Sequence, residues 1–67
     1  MKSISIKTKK GNEINLCVDR KYIVIYRDIG LQYELSDTII SLSEKFIKLE
    51  DKTIELSQIE DIIDITI

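Results

Sequence analysis

Lys21-Tyr22-Ile23-Val24-Ile25-Tyr26-Arg27 is the most apolar segment of this 67-residue chain, and its reading decides the fold. In an extended strand successive side chains point to opposite faces, so Tyr22, Val24 and Tyr26 share one side and Ile23 and Ile25 the other. β-Branched and aromatic side chains suit a pleated surface, and β-branched ones lose rotamer freedom in a helix. A strand that is apolar on both faces is central in its sheet or covered on its outer side. The rest of the chain has to supply that cover.

Upstream, Ile4 and Ile6 alternate with Ser3, Ser5 and Lys7, which predicts a half-buried strand from Lys2 to Thr8. Lys9, Lys10, Gly11 and Asn12 follow as turn residues, and Glu13 to Val18 is the next strand, with Ile14, Leu16 and Val18 on one face and Asn15 and Cys17 on the other. Downstream of the central segment, Asp28, Ile29 and Gly30 break the chain, and Leu31, Tyr33 and Leu35 then alternate with polar residues. Ser36 to Phe46 reads two ways. Ser36 could cap a helix carrying Ile39, Leu42 and Phe46 on one face, but the β-branched content favours a strand that turns at Glu44 and Lys45. Ile47 and Leu49, then Ile54 and Leu56, form a hairpin about Asp51 and Lys52. Ser57 with Glu60 three residues on matches a capping box, so one 3-10 turn is expected over 57–61, followed by a last strand with Ile63, Ile65 and Ile67 inward.

These elements predict a single all-β domain over 1–67: a small barrel, or a strongly bent antiparallel sheet of five to seven short strands. A short 3-10 turn before the closing strand resembles SH3-like and Sm-like barrels. The resemblance is one of architecture; it implies a fold and carries no function with it.

Composition narrows the chemistry. There are fifteen isoleucines and no Ala, Pro, Trp or His, and Cys17 is the only cysteine. One cysteine forms no intramolecular disulfide, which points to a reducing cytoplasm. No apolar h-region or long apolar run is present, so neither a signal peptide nor a membrane span is expected. Without His, the usual nucleophile–base pairs and Cys/His zinc sites cannot be assembled, and Gly11 and Gly30 lie in no phosphate-binding pattern. The expectation is therefore a protein that is not an enzyme and holds no cofactor or metal. Glu60, Asp61 and Asp64 could formally pair as carboxylates or hold a divalent cation, but acids alternating with Ile more simply keep a strand edge soluble. Cys17 is read as an inert small hydrophobe.

What remains is binding. The net charge of −2 conceals an asymmetry: residues 1–27 hold seven Lys or Arg against two acids, residues 28–67 three Lys against ten acids. Strands from both halves can interleave and mix these charges, or leave a dipolar molecule that steers a charged partner. The leading expectation is a protein–protein interaction module, a small regulator or inhibitor of an unidentified larger protein or a homodimer, with a surface on Tyr22, Val24, Tyr26, Arg27 and Tyr33. A variant of it uses Glu50, Asp51, Glu55, Glu60, Asp61 and Asp64 as an acidic face that occupies a nucleic-acid-binding groove. The alternative is an RNA- or DNA-binding barrel in which Lys7, Lys9, Lys10, Arg20, Lys21 and Arg27 track phosphates while tyrosines stack on bases. An acidic pI near 5.0 weighs against it.

Overall fold

A computed structural model describes residues 2–65. They form seven strands: β1 (Ser3–Lys7), β2 (Glu13–Cys17), β3 (Lys21–Asp28), β4 (Leu31–Leu42), β5 (Phe46–Leu49), β6 (Thr53–Glu55) and β7 (Ile59–Asp64), with a 3-10 turn at Leu56–Gln58. All ladders are antiparallel. β1 and β2 pair as a two-stranded ribbon, and the other five form one sheet in the order β6-β5-β4-β3-β7. The expected all-β class with a lone 3-10 turn is the one adopted. The ladders are divided between two sheets rather than closed into one barrel.

β3 is internal, between β4 and β7. Its odd-numbered isoleucines lie on the outer face: Ile23 opposes Ser36 on β4 and Ile63 on β7, while Ile25 opposes Glu34 and Asp61. Its other face is the core. Tyr22, Val24 and Tyr26 are buried with Leu16, Ile39, Leu42, Ile47, Leu49, Ile54, Ile59 and Ile62, and Ile4, Ile6 and Ile14 of the ribbon pack against them. The ribbon thus lies over the inner face of the sheet and covers one of the two apolar faces of β3; Ile23 and Ile25 on the other stay half-buried. The Tyr22 hydroxyl joins the layers: it accepts the Cys17 N–H at 2.9 Å and donates to the Asn15 carbonyl at 3.4 Å. Among the described residues no buried side-chain polar atom lacks a hydrogen-bond partner, as expected where an unpaired one costs about 1–3 kcal/mol.

Three local expectations are revised. The ambiguous stretch from Ser36 is a strand as far as Leu42, but it continues the strand from Leu31, making β4 twelve residues long. A register shift between Ile39 and Ser41 turns Ile40 outward and returns Leu42 to the core, which is why alternation blurs there. The 3-10 turn begins earlier than Ser57, because the Gln58 side-chain oxygen accepts the Glu55 N–H at 3.2 Å while the Ser57 hydroxyl is taken up by the Glu55 carboxylate. β7 accordingly starts at Ile59 and turns Ile62 into the core, leaving Ile63, expected inward, exposed; Thr66 and Ile67, expected in the last strand, lie outside the described residues. Among the described residues no helix is long and apolar enough to cross a membrane.

Candidate functional site

The β3–β4 hairpin is the longest in the sheet, pairing Lys21 with Thr38 at one end and Asp28 with Leu31 at the other. The ribbon and the β5–β6 hairpin cover only part of it. Along its inner face, exposure climbs toward the turn: Tyr26 is 6% exposed, Tyr33 43%, Leu31 61%, and Ile29 in the turn 92%. The Tyr26 and Tyr33 rings stack with centroids 5.5 Å apart, and the Lys52 ammonium sits 5.3 Å from the Tyr26 ring centroid. Such aromatic and cation–ring contacts each contribute on the order of 1 kcal/mol. They give the exposed end a rigid root.

Polar contacts hold the same end from the outer side. Arg27 donates to the Glu60 carboxylate at 2.7 Å and reaches the Gly30 carbonyl at 3.5 Å. Gln58 donates to the Arg27 carbonyl at 3.1 Å, so the 3-10 turn braces the last residues of β3. The hairpin end therefore combines an apolar tip, an aromatic pair and two cations on a scaffold fixed at several points.

The five residues expected to form a partner surface are divided by the sheet. Tyr22 and Val24 have no exposed surface, and Tyr26 almost none, because the ribbon covers that face of β3. These three build the core and position Tyr33 and Arg27, which are exposed. Sequence alternation identified the two faces of β3 correctly but could not say which one the ribbon would cover. In the sequence, Ile29 and Leu31 mark only a breaker and a strand start. The signal that could have found them is an isoleucine placed where the chain must turn.

The six acids fall on two parts of the sheet. Glu50 and Asp51 form the β5–β6 turn and Glu55 ends β6, whereas Glu60, Asp61 and Asp64 lie on β7, at the other edge of the strand order. The latter three are engaged: Glu60 with Arg27, Asp61 with the Asn12 amide at 3.0 Å and the Ile62 N–H at 3.0 Å, and Asp64 with Arg20 at 3.6 Å. The Asn12 hydrogen bond, foremost, holds the Asp61 carboxyl below its usual range. The bond also ties the β1–β2 turn to β7. Among the described residues no three His, Cys, Asp or Glu side chains converge as a metal site.

Lys7, Lys9 and Lys10 are exposed at the β1–β2 turn, and Lys21 is exposed at the start of β3. Arg20 and Arg27 have carboxylate partners, and two of the three tyrosines that would stack on bases are interior. Cys17 is half-buried and accepts from the Asn15 amide at 3.6 Å.

One buried acid escaped the sequence reading. Asp37, on the inner face of β4 between Leu35 and Ile39, accepts the Thr38 N–H at 2.8 Å and the Asp51 N–H at 3.1 Å. Its carboxylate fastens the β5–β6 turn to β4, which in turn places Lys52 over Tyr26. The role is structural, and it stabilises the site from below.

Comparison with protein-family profiles, with curated protein sequences and with solved structures finds no match to this chain.

Proposed function

We propose that this chain is a non-enzymatic protein-interaction module, a small regulator or inhibitor of a larger protein, and that it makes contact through the free end of the β3–β4 hairpin. The observation that carries this reading is the apolar gradient from Tyr26 through Tyr33 and Leu31 to Ile29, in which side chains of rising exposure stand on a braced root. The largest exposed apolar patch on a monomer is often functional, and tyrosine and arginine are favoured as anchors in protein interfaces. Tyr33 and Arg27 keep the roles expected of them, while Tyr22, Val24 and Tyr26 act from beneath. The setting is a reducing cytoplasm, in keeping with a single half-buried cysteine.

Affinity capture with the tagged protein, before and after nuclease treatment, tests the reading. Specific proteins should persist after nuclease and be lost when Leu31 and Tyr33 are both replaced by serine. Capture of nucleic-acid-associated proteins alone, vanishing with nuclease, would overturn it in favour of phosphate binding through Lys7, Lys9 and Lys10.

A further inference from the structure

Asp28 pairs with Leu31, so Ile29 and Gly30 are the two central residues of the hairpin turn, with φ of 51° and 74°. Positive φ at both positions is the geometry that matches the twist of the flanking strands, and its first position is normally Asn, Asp or Gly. A β-branched residue is among the worst tolerated there. Ile29 is also the most exposed large hydrophobic residue described. An isoleucine that strains the backbone and meets water does nothing for its own fold, and strain of this kind collects at functional positions.

We infer that Ile29 is the anchor of a knob that enters a concave apolar pocket on a partner protein, with a carboxylate on the pocket rim facing Lys52. This rests on the interaction-module reading and names the chemistry of the partner. Ile29, Leu31 and Tyr33 are three exposed side chains, against the roughly 20–30 residues and ~800 Å² that each side of a standard interface contributes. Two copies meeting tip to tip bury too little for a stable dimer, whereas a pocket that surrounds the tip adds contact on several sides. Lys52 has no ion-pair partner among the described residues, and its ammonium lies at the base of the knob over Tyr26. A lipid surface fits less well. Arg27 is already paired with Glu60 at 2.7 Å, and Asp28, next to Ile29 in the chain, adds a negative charge at this end.

The test is site-specific photocrosslinking with a benzophenone amino acid at position 29, 31, 40 or 63 in native cells, with thermal melts to check that each variant folds. Ile40 and Ile63 are exposed apolar controls away from the turn, and Leu31 is outside the left-handed region, so it reports even if position 29 is perturbed. The expected result is a discrete protein adduct at 29 and 31, absent at 40 and 63, and reduced about tenfold by Lys52→Glu. Adducts confined to 40 or 63 leave the interaction module standing and overturn the knob. A second copy of the chain or a lipid as the adduct at 29 and 31 also overturns it, and insensitivity to Lys52→Glu overturns the rim carboxylate. No protein adduct at any position sinks both the knob and the interaction-module reading.

Discussion

Replacing Ile29 by asparagine should make the protein more stable. A left-handed backbone costs an ordinary L-residue about 1–2 kcal/mol, and asparagine escapes much of that because its short side chain hydrogen-bonds locally. The isoleucine side chain is 92% exposed, so its removal forfeits almost no burial within the chain. The Ile29–Gly30 turn then becomes Asn-Gly, the preferred pair for this geometry. The net gain is about 1 kcal/mol, which for a domain of this size raises Tm by roughly 4–8 °C. Thermal and urea unfolding followed by circular dichroism measure it, and an unchanged urea slope would show that both chains expose the same surface on unfolding. Ile29→Val keeps the β-branched strain and should melt close to the parent protein. If Ile29→Asn melts at or below the parent, Ile29 is held by contacts within the chain and the argument from strain fails.

Tyr22→Phe leaves the Cys17 N–H without its acceptor between the two layers and should cost about 1–3 kcal/mol in chemical unfolding. Burial, the leading cause, raises the Tyr22 pKa above 10.0, so its stabilising effect is complete below that value and is lost as pH climbs through the raised one; an alkaline melt series should show this loss in the parent and not in Tyr22→Phe. Asp61 has the opposite sign. Its carboxyl is held below 3.8, so its contribution is present above that pH and disappears as the pH falls through the lowered value, and Asp61→Asn should flatten this acid limb of the stability curve. Ile47→Ala, at a position with no exposed surface, should destabilise by about 2–5 kcal/mol through lost burial and the cavity left behind.

The sequence made the strands legible because β-branched residues alternate with polar ones nearly throughout, and the turns legible because Gly11 and Gly30 stand where φ is positive. It left the orientation of β3 open. Tyr22-Val24-Tyr26 and Ile23-Ile25 are both apolar stripes, and the choice between them depends on a ribbon that arrives from residues 3–17 and on one hydroxyl reaching the Cys17 amide. That is a tertiary fact with no local signature. Ser57-x-x-Glu60 has the spelling of a capping box two residues too late, whereas Gln58 turns back to Glu55 and also braces β3. The acids of the last third read as a group because they are close in sequence. The strand order sends them to opposite edges, and Arg20, Arg27 and Asn12 engage those on β7. The hairpin tip was visible all along as an isoleucine inside a turn, but an isolated apolar residue gains meaning only when its backbone conformation and exposure are known together.

The most direct measurement is the dissociation constant of the protein retained in nuclease-treated capture, determined by calorimetry for the parent chain and for Ile29→Asn. Burying an isoleucine contributes about 1.5–3 kcal/mol, so the account predicts affinity weakened by roughly 10- to 100-fold in a variant that is itself more stable. Equal affinity for the two chains would contradict the claim that the hairpin tip is what the partner holds.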